Sequence, residues 1–381
     1  MFTFIKSITA LFLCISALFS HFATPKTESP ALPYTSIGQP LVSYFENSRC
    51  AHIPWDMLIF DSRLYVGCGD YDSNAGPVPV MYYDLTSEEW ICMGELPDEQ
   101  LNRFCVIDGN IVIPGTDPKD SWEFGNYYRI EENNTLKTIR NIPGGIHNYD
   151  MVKYNGLIFA GLGVEAGNIP ISVSSDDGIT FQSAAMYKEG TPVDTSAYSY
   201  VRCYDLITFK NTLYATLYMK SGENDENITY ELYEYSPCQS AFIYKQDMAS
   251  VMDRSRISYD RMRAKTEFDG RLFIASDKLY TTDDMTDFHT AEISLDEKFI
   301  VCDMYEYENR LFVLGGKTVG ENTYKTICYE YKNGLFSELF SFDYEVPPIS
   351  LACSQNEMYI GYGNAAKELD ANGTILKVNY Q

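Results

Sequence analysis

One sentence of sequence is written over and over along this chain: an apolar run, a tight turn, and a second apolar run that opens on a large aliphatic or aromatic pair. Its clearest copy runs from Asp56 to Met93. Asp56-Met57-Leu58-Ile59-Phe60 is followed by a turn at Asp61-Ser62-Arg63, then Leu64-Tyr65-Val66-Gly67 and a long loop. Val80-Met81-Tyr82-Tyr83-Asp84, a short turn and Trp90-Ile91-Cys92-Met93 complete it. Short β-prone runs bounded by turn residues predict four strands in an antiparallel meander. The pair after the first turn recurs as Ile111-Val112, Leu157-Ile158, Leu213-Tyr214, Leu272-Phe273, Leu311-Phe312 and Met358-Tyr359. The preceding turns agree, as in Asp108-Gly109, Asn155-Gly156 and Asp269-Gly270, whose residues tolerate the positive φ of a hairpin. Repetition at this period signals a β-propeller. The expectation is an all-β, seven-bladed propeller of four-stranded antiparallel blades over residues 38–381.

The ring's closure is also predicted. Counting from Met358 as far as Val80 lies beyond Leu64 reaches Thr374-Ile375-Leu376-Lys377-Val378, so the chain ends on a third strand. Leu41–Phe45 precedes Asp56 by the gap that separates Met93 from Arg103, and is expected to supply the missing strand. Such closure covers edges that otherwise invite association and favours a monomer.

The N-terminal stretch reads differently. Lys6 and an apolar run from Ile8 to Phe19 give residues 1–23 the form of a signal peptide, the alternative being an uncleaved anchor. Residues 24–37, with Pro25, Pro30 and Pro33, read as a linker. An exported protein is therefore expected, whether secreted, periplasmic or on the cell surface. Nine cysteines follow Cys14, most inside apolar strand runs where a thiol behaves as a small hydrophobe. Lys plus Arg number 29 against 53 Asp plus Glu, a net charge of −24. That sign disfavours nucleic acid and anionic membrane surfaces as partners.

Two family resemblances appear within the repeats. Tyr82-Tyr83-Asp84-Leu85 with Trp90 and Met93-Gly94, and the doublet Gly315-Gly316, resemble a kelch repeat. Ser174-Ser175-Asp176-Asp177-Gly178-Ile179-Thr180-Phe181 resembles the Asp-box of sialidase-like propellers, and Thr281–Asp284 with Phe288 is a degenerate copy. The resemblance implies a turn between third and fourth strands, its Asp and Thr bonding the loop and its aromatic entering the core.

Long connections fall between second and third strands (Asp70–Pro79, Thr116–Gly125, Met219–Ile228) or between repeats (Tyr187–Tyr200, Asp247–Asp260). In an up-and-down blade both classes emerge at one end, which is where binding surfaces are built. The first inner-strand position there reads Asp56, Arg103, Asp150, Asp205, Ala264, Asp303 and Ser350. These carboxylates, with Arg103 as the one cation, are expected either to cap neighbouring backbone N–H groups or to recognise a polar ligand. Further candidates at the same end are His52, Asp117, His147, Arg202, Arg261, Arg263 and Asp277. Asp70, Asp72 and Asn74 resemble a calcium loop without its closing Glu, so no cofactor is expected unless calcium binds there. Trp122, Tyr71, Tyr127, Tyr128, Tyr198 and Tyr200 are candidates for stacking on sugar rings.

Two functions follow. One is a module that binds a glycan or protein at the loop-rich face, with action on carbohydrate left open. The other is a glycoside hydrolase of sialidase-like type using channel-mouth carboxylates. Sialidases carry Arg-Ile-Pro entering the first blade, where this chain has His52-Ile53-Pro54. Histidine lacks arginine's two-donor fork, so binding is the favoured reading.

Overall fold

The computed structural model describes residues 34–46, 48–118, 123–221, 228–248, 264–276, 278–293 and 298–380. The expected signal peptide, residues 24–33 of the linker, Trp122, Arg261, Arg263 and Asp277 lie outside the described residues.

The chain is all-β, with four-stranded antiparallel blades in a propeller-like ring. Seven equal sheets are not what forms. Among the described residues there are five four-stranded sheets and one of ten strands. Within the large sheet, two antiparallel runs of four are joined. One is His147–Tyr154, Leu157–Val164, Ile171–Ser174 and Gln182–Ser183; the other is Tyr200–Phe209, Thr212–Lys220, Ile228–Ser236 and Ala241–Asp247. Gly163 pairs with Arg202 and Val164 with Val201, fusing the second strand of one run to the first strand of the next. A short hairpin, Ala185–Lys188 with Thr191–Pro192, lies parallel to Ala241–Asp247 and covers that outer edge.

The hairpins form where the sequence places residues that accept left-handed backbone. Asn155 (φ 50°) and Gly156 (φ 78°) make the turn between His147–Tyr154 and Leu157–Val164. Each second strand is buried: Leu64, Val66, Phe159, Ala160, Leu213, Ala215, Phe312 and Ile360 are all 0 % exposed, which fixes strand register against slippage. Rings fill the space between neighbouring blades, as where Phe159 meets Tyr235 and Phe242 edge-on at 4.9 and 5.7 Å.

Closure occurs, with a different strand. Tyr34–Gly38 pairs antiparallel with Ile375–Asn379, Tyr34 opposite Val378 and Ser36 opposite Leu376. It thus falls within the stretch expected to be linker. Leu41–Phe45 is a turn instead, in which the Tyr44 amide donates to the Leu41 carbonyl at 3.0 Å. Pro40 explains the exchange, because it has no N–H to offer a ladder. Leu41 and Phe45 still bury their side chains, which is the apolar signal that marked them as strand.

At the end where the first strands begin, isolated bridges link Gly69 to Gln100, Gln100 to Thr116 and Thr116 to His147. They stitch second-to-third-strand loops to the connections between sheets, and so give the loop-rich end a fixed backbone.

Candidate functional site

Two groups of side chains stand at this end. The inner one lines a central cavity of about 500 Å³ bounded by Asp56, Arg103, Asp150, Lys265 and Asp303, among others. Three aspartates repeat one contact. Asp56 accepts the Phe104 amide at 2.7 Å, Asp150 that of Leu206 at 2.9 Å, and Asp303 that of Leu351 at 2.7 Å. Each acceptor lies in, or just before, the first strand of one four-strand run, and each donor in the residue just past the matching position of the next run. These carboxylates therefore tie run to run. Ser350 continues the pattern by donating to the Pro54 carbonyl at 2.6 Å.

Arg103 reaches across the channel, 2.8 Å from Asp150 and 3.2 Å from Asp205. Lys265 joins the same two carboxylates. Burial alone would raise the Asp150 carboxyl, but Arg103, Lys265 and the Leu206 amide outweigh it and hold Asp150 below its ordinary value. Arg103 is likewise disfavoured by burial and held charged by Asp150 and Asp205. The expectation of a single cation is corrected here: Lys265 is a second, one residue past the aligned Ala264. Bulges precede Asp150, Asp205, Asp303 and Ser350, whereas Ala264–Phe268 pairs regularly from its first described residue.

The outer group lies toward the loops and is created by the fusion of the two runs. The Gly163–Arg202 pair sets Arg202 beside His147, which pairs with Gly163 from the other side. A Cβ on Gly163 would lie 2.7 Å from Arg202 Cδ and 2.8 Å from His147 Cδ2, so only glycine leaves room for both. Around them stand Tyr71 and Tyr200, both expected from the sequence as stacking candidates, together with Tyr149 and Tyr204, which nothing in a Tyr-rich chain marks out. Arg202 lies over the Tyr200 ring at 3.7 Å. Tyr149 stacks on His147 at 5.6 Å and meets Tyr204 at 4.6 Å, and the Tyr200 and Tyr204 hydroxyls are 3.0 Å apart. Tyr71 touches the far side of His147. Tyr71, His147, Tyr149, Tyr200, Arg202 and Tyr204 are all half-buried, so the cluster is open to solvent.

Its charge state follows from burial and from Arg202. Burial, then the guanidinium, lowers the His147 imidazole to about 3, so that ring is neutral. Burial raises the Tyr149 phenol although Arg202 pulls the other way. Burial also raises Asp117, again against Arg202. Arg202 itself donates to the carbonyls of Val164 at 3.0 Å and Val201 at 2.9 Å, and its Nε is buried with no hydrogen-bond partner.

Other sequence candidates go elsewhere. His52 is buried and bonds the Phe45 carbonyl at 2.8 Å. Tyr127 and Tyr128 are core residues at 2 % and 0 % exposure, closed to any ligand. Tyr198 borders a separate pocket with Lys188 and Glu231. Asp70 spends its carboxylate on the Asp72 amide and the Ser48 and Ser73 hydroxyls, and no group of three or more metal-binding side chains converges among the described residues. All nine described cysteines are free thiols, six of them buried.

No family profile and no curated protein matches the chain. Solved structures do match in fold. An ulvan lyase from a polysaccharide lyase family aligns with a TM-score of 0.50 and 11% identity over 92% of this chain and 95% of that one. A chain of a mitotic checkpoint complex gives 0.52 and 10% over 94% and 98%. A puromycin hydrolase variant gives 0.53 and 10% over 87% of this chain and 53% of its own. At such identities the likeness speaks for the propeller fold alone.

Proposed function

We propose that the chain is an exported, monomeric seven-bladed propeller that binds a glycan at its loop-rich end, through the cluster of His147, Tyr149, Tyr200, Arg202 and Tyr204. The blade count takes the ten-stranded sheet as two fused blades, each with four strands in antiparallel order. The Ser174–Phe181 turn supports the Asp-box reading: Asp176 accepts from the Thr180 amide at 2.8 Å and hydroxyl at 2.6 Å, and Phe181 is buried against Tyr127. Export rests on Lys6 and the apolar run that follows it.

The observation that carries the functional reading is the half-exposed set of phenol rings packed around one guanidinium. Aromatic faces take the apolar faces of sugar rings, while hydroxyls, imidazole and guanidinium take their oxygens. That a propeller of similar fold is a polysaccharide lyase adds weight to a carbohydrate ligand. The hydrolase alternative has less behind it. Asp56, Asp150 and Asp303 are engaged by backbone amides, and Asp150 is held below the range a general acid needs. The test is affinity electrophoresis of the full chain through gels carrying different polysaccharides, with Tyr149→Ala and Tyr204→Ala beside the parent. Retardation that both substitutions abolish supports the site; no retardation by any glycan rejects it.

A further inference from the structure

Acids outnumber bases by 53 to 29. Among the described arginines, Arg49, Arg103, Arg271 and Arg310 each meet a carboxylate within 3.2 Å. Arg202, like Arg63, which bonds Asn134, sits without an ion pair among the described residues. Asp117 feels its charge without reaching ion-pair distance, and burial biases that carboxyl toward its protonated form. The guanidinium is held instead by two backbone carbonyls and a tyrosine face, none of which neutralises it. Holding a charge half-buried and uncompensated costs folding free energy, which an anionic ligand would recover on binding.

We propose that the group this site reads is a carboxylate, so that the loop-rich end takes an acidic sugar of the uronate class in preference to a neutral one. The inference rests on the glycan reading above and sharpens it. Guanidinium matches a carboxylate with two parallel hydrogen bonds, and both carbonyl bonds of Arg202 are made by Nη1 alone. His147 lies alongside as a neutral ring and adds no competing charge. Tyr149 and Tyr204 complete a wall on which a sugar ring can stack. The glycine at 163 keeps both basic side chains in place. Long-range electrostatics oppose this ligand, because the chain carries −24. Any binding of a polyanion therefore comes from local contacts, and raising salt from a low value should strengthen the encounter by screening the overall repulsion.

The experiment titrates the full chain, by calorimetry, with polygalacturonate, alginate, their carboxyl-reduced counterparts and a sulfated neutral galactan. A polyuronate should bind, and its carboxyl-reduced form should bind at least tenfold more weakly, a difference of about 1.4 kcal/mol. Arg202→Gln should lose the same factor for the polyuronate and clearly less for the reduced polymer; Arg202→Lys, which keeps charge without the fork, should fall between. Equal binding of parent and reduced polymers overturns the proposal, as does a sulfated galactan that binds as tightly as any polyuronate. Both comparisons use the unaltered protein, so they stand even if a variant misfolds. Neutral glycans binding while every polyuronate fails overturns the carboxylate and leaves glycan binding intact. No binding by any polymer overturns both.

Discussion

Arg103 and Arg202 stand near the starts of first strands two runs apart in the same ring, and the chain treats them in opposite ways. Arg103 is packed into the channel against Asp150 and Asp205 and shares them with Lys265. Arg202 sits nearer the loops, against carbonyls and phenol rings, with no carboxylate paired to it among the described residues. The first arrangement pairs its cations with carboxylates and ties blades together, although Asp205 Oδ2 stays buried without a hydrogen-bond partner. The second leaves a donor set half-open and unneutralised. A ring of charges at a propeller's axis is thus the conspicuous feature, and the quieter cluster beside it is the better site.

The largest effect expected is in the channel. Arg103→Met leaves Asp150 and Asp205 with Lys265 alone and should lower unfolding free energy by about 3–5 kcal/mol in a urea titration. Glycan affinity of the folded fraction should not move. Lost affinity at unchanged stability would place the site in the channel and break the comparison.

A buried acid without a cation gives the next effect. Asp98 is fully buried, with Asn126 donating to its Oδ1 at 3.1 Å. Burial raises its carboxyl to about 7, against hydrogen bonds from Asn126, Tyr128 and the Thr116 amide. Its folded value lies above its unfolded one, so its contribution is full below the ordinary 3.8 and is lost as pH rises through about 7. Asp150, held low, behaves oppositely, and its contribution is lost only on acidification. Asp98→Asn keeps the acceptor and removes the charge, and should stabilise the fold above neutral pH by a few kcal/mol, on the order of 3. Melting curves of parent and variant that stay parallel from acid to neutral pH would show that Asp98 ionises freely.

Gly163→Ala comes third. The added methyl meets Arg202 and His147 below 3 Å, and both are mid-chain or ring atoms that cannot swing aside. Overpacking of this kind costs roughly 1–3 kcal/mol. It should weaken glycan binding more than it lowers melting temperature, since what moves is the site. Unchanged affinity would detach Gly163 from the cluster.

How much of this was legible follows from what each feature depends on. Repeats and turns are local, so Asn155-Gly156 and Asp269-Gly270 reported their hairpins directly. The capping role of the aspartates was legible too, as one of two readings, because a regular position predicts a regular contact. The closing strand was misplaced because apolar residues mark burial, and Leu41 and Phe45 are buried in a turn. Lys265 lies one residue past the position that the alignment of repeats assigned to the ring, Ala264. His147 and Arg202 were named for their end of the molecule; their contact depends on the pairing of Gly163 with Arg202, which no local pattern encodes. The same fusion gathers Tyr149, Tyr200 and Tyr204, three phenols among 31.

The smallest stability effect belongs to the residue with the largest effect on binding. Arg202→Gln removes two hydrogen bonds to carbonyls, each contributing about 0.5–1.5 kcal/mol net. It also removes the penalty of keeping an unneutralised guanidinium half-buried, which works in the opposite direction. The terms offset, and the unfolding midpoint should shift by no more than about 1 kcal/mol equivalent. Arg103→Gln, the same chemical change, has no such offset, because it strands two buried carboxylates and should cost about 3 kcal/mol or more. Measuring both variants in one urea series tests the contrast directly. Two equal losses would mean that Arg202 is also a structural cation with a countercharge, and the carboxylate of a ligand would then have no vacancy to fill.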